Sequence, residues 1–90
     1  MKLIPLGPSA HVLEIQIASV LYRILFSYET VVMIAKDEAP CIEIHSSARF
    51  YSNTTKRQAT IFLEKYYPNS IVQSATQDFM NNYFVELSNL

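Results

Sequence analysis

The chain predicts an α+β domain, with an antiparallel β-sheet of four or five strands within residues 2–46 and two C-terminal helices, about 54–67 and 75–87, on one face. Three observations carry this. Apolar and polar residues alternate with period two through most of the first half, as in half-buried strands. From Thr54 the apolar residues recur at i, i+3, i+4 and i+7, as in helices with one buried stripe. Strand patterning comes first and helical patterning last, which favours helices stacked on a sheet over interleaved β-α-β units.

Residues 2–6 are apolar and punctuated by Pro5, Gly7 and Pro8, which suits an edge strand and not a central one. Residues 12–17 alternate, with Leu13, Ile15 and Ile17 opposite Glu14 and Gln16. After a weak turn signal at Ala18-Ser19, residues 20–27 put Tyr22, Ile24 and Phe26 on one face and Leu21, Arg23 and Leu25 on the other. The same alternation continues through Tyr28, Thr30, Val32 and Ile34, so residues 20–35 form one long bent strand or two, 20–27 and 30–36. The polar Ser27-Tyr28-Glu29 segment is the place for a bulge or tight turn. Lys36 to Pro40 makes a hairpin loop of about five residues. Residues 41–46 are the return strand, with Ile42 and Ile44 facing away from Cys41, Glu43 and His45.

The first helix opens in the Thr54-Thr55 pair. Thr55-Lys56-Arg57-Gln58 has capping-box spacing, and Thr54 is an equal candidate cap. Its core stripe is Ala59, Phe62, Leu63 and Tyr66, and it stops before Pro68. Ile71-Val72 is a short extended piece. Ser74-Ala75-Thr76-Gln77 offers a second capping box, and Ala75, Phe79, Met80, Tyr83, Phe84 and Leu87 form the apolar face of the last helix.

Ninety residues, half of them hydrophobic, make a single domain spanning 1–90. Cys41 is the only cysteine, so packing alone must hold the fold, as suits a reducing cytoplasm. No apolar run approaches the roughly 18 residues of a membrane span, and Pro5 interrupts the N-terminus before a signal-peptide core develops. A net charge of −1 argues against a surface built wholly for nucleic acid or anionic membrane. Six Tyr and five Phe exceed what one small core hides, which predicts surface aromatics and self-association as a homodimer.

Two stretches, Ser27-Tyr28-Glu29-Thr30-Val31-Val32 and Tyr51-Ser52-Asn53-Thr54-Thr55-Lys56-Arg57-Gln58, carry a resemblance. The chain resembles a group of small uncharacterised bacteriophage and archaeal-virus proteins, in which an F-S-Y-x-T-P-V-A strand and a short hairpin precede Y-S-x-T-T-x-x-H at the mouth of a helix. The likeness covers about residues 20–67 and extends weakly into the last helix. Val31 stands where that group has proline and Gln58 where it has histidine, so no role of an imidazole carries over. The resemblance implies a virus-encoded accessory protein of the host cytoplasm, with no defined biochemistry.

The chemistry-bearing residues favour binding over catalysis. Arg49, Tyr51, Thr54, Thr55, Lys56 and Arg57 form a candidate anion or nucleic-acid site, because hydroxyls, helix N–H groups, cations and an aromatic ring meet there. Against that, Ser and Thr at a helix start are ordinary caps, and Phe50 or Tyr51 is expected to pack under the helix. Tyr28, Tyr66, Tyr67, Tyr83 and Phe84 are candidate interface residues, with a host protein or a second copy as partner. Cys41 and His45, four apart on one strand, sit roughly 13 Å apart, too far to pair as nucleophile and base. One Cys and two distant His fall short of a zinc ligand set, and no cofactor or catalytic residue is expected.

Overall fold

The computed structural model describes residues 1–90. Five strands run as an antiparallel meander, β1 (Lys2–Gly7), β2 (Ala10–Ile17), β3 (Val20–Ser27), β4 (Thr30–Glu38) and β5 (Cys41–Ser46). A 3₁₀ turn at Ala48–Phe50 leads to α1 (Asn53–Tyr66), then β6 (Val72–Ser74) and α2 (Gln77–Ser88). β6 pairs in parallel with β5, which makes six strands in the order β1-β2-β3-β4-β5-β6 and a mixed sheet, where four or five antiparallel strands were expected. No helix is long and apolar enough to cross a membrane.

The meander is tight. Residues 20–35 are two strands, because Ser27 pairs with Thr30 across a two-residue loop, Tyr28-Glu29. Tyr28 takes φ 58° and Ala18, in the loop before β3, φ 54°, the positive φ that two-residue hairpin loops impose on their first position. The expected five-residue loop shortens to Ala39-Pro40, since pairing continues to Glu38 and Cys41.

The largest correction concerns the helices, which lie on opposite faces of the sheet. Ala59, Phe62 and Tyr67 pack with Val12, Leu25, Ala35 and Ile44, whereas Met80 and Leu87 of α2 pack with Tyr22, Ile24, Val31 and Ile34. The reason is β6. Inserted as a strand between the two helices, it completes a β5-α1-β6 crossover on one face, and the chain leaves β6 toward the other.

A bulge refines the expected alternation. Leu25 pairs with Met33 and Phe26 with Val31, so Val32 is the extra residue. Val31 therefore joins the face of Ile24 and Ile34, and Val32 turns to the α1 side with Met33. Both faces of β4 are buried, as its run of five buried residues, Val31 to Ala35, requires.

Candidate functional site

The motif that carries the resemblance folds into a polar clasp between α1 and the hairpin tips. Ser27 donates from Oγ to Gln58 Oε1 at 2.6 Å and sits 3.0 Å from Thr55 Oγ1, and Gln58 Nε2 donates to Ser9 Oγ at 3.0 Å. Thr55 is only 5% exposed. It therefore leaves the candidate anion site, and it is not the cap either. Ser52 caps α1, accepting from the Thr55 amide at 3.5 Å, and Gln58 reaches the sheet instead of back to its own helix start. The second helix corrects in the same way. Thr76 accepts from the Phe79 amide, which frees Gln77 to bind outward. Its Oε1 accepts from Ser47 and Tyr51, and its Nε2 donates to the Val31 carbonyl and to Asn81.

The rest of the basic and aromatic segment is open. Arg49, Thr54, Lys56 and Arg57 are exposed, and none of these cations is in an ion pair. Phe50 is 58% exposed and lies under the Arg49 guanidinium, 4.9 Å from its carbon to the ring centre, contrary to the expected packing beneath the helix. Tyr51 is exposed as well, its hydroxyl tethered to Gln77 at 2.7 Å. The 3₁₀ turn accounts for both, because it buries Ala48 and turns the next residues outward.

The candidate interface residues divide between the two faces. Tyr66 and Tyr67 lie on the α1 side, where Tyr67 is 3% exposed and unavailable to a partner, a correction to its expected role. It belongs to a cluster around Arg23, which donates to Glu14 at 2.7 Å and to the Tyr67 hydroxyl at 3.0 Å, and lies 4.5 Å from the Tyr66 ring centre. Burial opposes the Arg23 charge, but the hydrogen bonds with Glu14 and Tyr67 outweigh it and raise the pKa above its ordinary value. Burial likewise raises the Tyr67 phenol, with Arg23 pulling the other way.

Tyr28, Tyr83 and Phe84 fall on the α2 side. Phe84 meets Phe26 edge-on at 5.5 Å, and Tyr28, 63% exposed, stands at the β3-β4 tip. Tyr28, Phe26, Leu3 and His11 line a shallow groove of about 320 Å³. Next to it Leu13, Ile15 and Ile17 are only half-buried, at the edge of the cluster under α2, and Leu3 is 62% exposed, because α2 lies chiefly over β4. The alternation at residues 12–17 marks these side chains as core-facing. It does not reveal that they stay only half-buried.

No cluster of three or more His, Cys, Asp or Glu side chains is arranged to hold a metal ion. No family model matches the chain, and no curated protein or solved structure matches it.

Proposed function

We propose that the chain is a non-enzymatic interaction module, by its resemblance a virus-encoded accessory protein, that docks a second copy of itself through the open half of the α2 face. One observation supports this reading. An apolar strip of Leu3, Leu13, Ile15 and Ile17 runs from the edge of the cluster under α2 toward exposed Tyr28, with Leu3 exposed and the other three only half-buried. Two such strips are self-complementary under a twofold axis. Three strands of about six to eight residues present roughly 400 Å² in projection on each partner, about 800 Å² in total, which is the size of a weak, transient contact. The dimer is therefore concentration-dependent. Pro5 lacks an amide hydrogen and blunts the β1 edge, which favours face-to-face docking over strand addition.

Light scattering across a concentration series tests this. Wild type should move from monomer to dimer, and Leu3→Lys combined with Ile15→Lys should stay monomeric with its far-UV spectrum retained. A wild type that is monomeric throughout, or a variant that dimerises unchanged, rejects it.

A second reading has its own support in the exposed Phe50 and Tyr51 beside unpaired Arg49, Lys56 and Arg57. In this reading the segment binds single-stranded nucleic acid by stacking and phosphate pairing. Three cations predict a log–log salt slope of about −2. Oligonucleotide binding indifferent to salt, or unchanged in Arg49→Ala, would sink it.

A further inference from the structure

A cavity of about 350 Å³ opens between the β4-β5 end of the sheet and α2, away from the proposed dimer strip. Its floor is made by Lys36, Glu43 and His45. Lys36 and Glu43 are cross-strand partners, and Glu43 and His45 lie two apart on β5, so all three share one face. Its wall is Phe79, Asn82, Tyr83 and Glu86, which at i, i+3, i+4 and i+7 form one stripe of α2. Phe79 and Tyr83 belong to the expected apolar face of the helix, and Asn82 and Glu86 border it.

Three aromatic rings meet here. His45 lies 5.0 Å from Phe79 and 6.0 Å from Tyr83, and Phe79 meets Tyr83 edge-on at 6.0 Å. Phe79 remains 44% exposed, so its ring borders the opening. The charges are unbalanced. Glu43 and Glu86 bring two carboxylates against the single ammonium of Lys36, and neither carboxylate is in an ion pair with lysine or arginine. The Tyr83 phenol registers the field. Burial first, then repulsion from a Tyr22 phenolate at alkaline pH and from the Glu43 and Glu86 carboxylates, pushes it up to about 12. Burial disfavours a charge of either sign there, and only the contribution of the Glu43 and Glu86 carboxylates favours a cation. His45 Nδ1 is the one buried side-chain polar atom without a hydrogen-bond partner, 3.8 Å from Glu43 Oε1.

We propose that this cavity binds an organic cation of the alkylamine or guanidine class, held between the Glu43 and Glu86 carboxylates against the faces of Phe79 and Tyr83. Ring faces attract cations through their quadrupole, and the carboxylates accept the N–H groups. Lys36 weakens the site and bars a second positive charge, so monocations bind better than polyamines. The guanidinium comes either from a free metabolite or from an arginine side chain of another protein.

The test is NMR titration of the full chain with butylguanidine, butylamine and acetyl-arginine amide, with acetate and inorganic phosphate as anions. The expected result is saturable shifts at His45, Phe79 and Tyr83 for the cations alone. Glu43→Gln and Glu86→Gln should each weaken binding about fivefold, and Lys36→Gln should strengthen it by a similar factor. All three positions are partly or fully exposed, so the variants should fold, and unchanged shifts elsewhere would verify it. Binding confined to acetyl-arginine amide assigns the ligand to a protein side chain, and binding of butylguanidine or butylamine to a free cation. No saturable shift with any cation, tighter binding of phosphate or acetate, or cation affinity unaltered in the double glutamine variant overturns the proposal.

Discussion

The two faces of the sheet are held by different means. Under α1 the contact is locked by direction as well as by burial. Phe62 fills the centre, the Ser27, Thr55, Gln58 and Ser9 clasp closes one end, and the Arg23 cluster with Tyr66 and Tyr67 closes the other. Under α2 the helix is pinned at its N-terminus by one amide, Gln77, and beyond that the packing is apolar, through Met80, Phe84 and Leu87. Hydrogen bonds fix register, whereas apolar contact tolerates sliding. The first face thus specifies the fold. The second face retains the open strip, the cavity and the exposed aromatics that binding needs.

The sharpest way to break this contrast is at the two helix centres. Phe62→Ala should cost about 3–5 kcal/mol, near the whole stability of a domain this size. Met80→Ala should cost about 2–4 kcal/mol, because α2 can settle toward the cavity and recover part of the loss. Urea midpoints measure both, and equal losses would mean that the faces are equally rigid.

The next effect belongs to the polar locks. Arg23→Met leaves Glu14 and the Tyr67 hydroxyl without their donor and should cost about 2–3 kcal/mol. Gln58→Ala strips Ser27 and Ser9 of a partner at the other end and should cost about 1–2 kcal/mol. A double variant that loses clearly less than the sum would show that the two ends act as one lock.

A finer contrast lies in the phenols. Both Tyr67 and Tyr83 are raised above the ordinary value of 10, so each stabilises the fold while protonated. For Tyr83 that contribution is complete below pH 10 and is lost as the pH rises through about 12. Tyr83→Phe should leave the neutral urea midpoint nearly unchanged, since its hydroxyl makes no protein hydrogen bond, and should flatten the alkaline decline. Tyr67→Phe should cost about 1 kcal/mol of stability at neutral pH, seen as a lower urea midpoint, because Arg23 loses an acceptor.

The smallest effect separates the helix caps. Thr54→Ala should leave the midpoint unchanged and Ser52→Ala should lower it by a stability loss of about 0.5–1 kcal/mol. Thr55→Ala should cost more than either through its buried contact with Ser27.

Strands, helix stripes and most turn positions were legible in the sequence, because each depends on neighbours within a few residues. Tyr22, Ile24 and Phe26 share a face as their spacing requires, and Ala59 and Phe62 face the core. What could not be read depends on distant contacts. β6 is three residues long and is a strand only because β5 lies alongside, and with it went the faces of both helices. Gln58 and Gln77 occupy capping-box positions, yet the partners that capture them lie on strands and turns 26 to 49 residues away. Of the candidate site residues, Thr55 and Tyr67 were lost to burial for the same reason. Leu3, Leu13, Ile15 and the His45 cavity were missed, since an alternating pattern tells which side a residue faces and not whether anything covers it.

The strand order carries a consequence in time. Each of the first five strands pairs with its successor along the chain, so the sheet can zip hairpin by hairpin with short loops to close at every step. As the chain leaves the ribosome, the meander and α1 can assemble before residues 72–88 emerge. For that interval the entire Ile24 and Ile34 surface is bare, and the nascent protein is at its stickiest just before α2 arrives to cover the half that it covers.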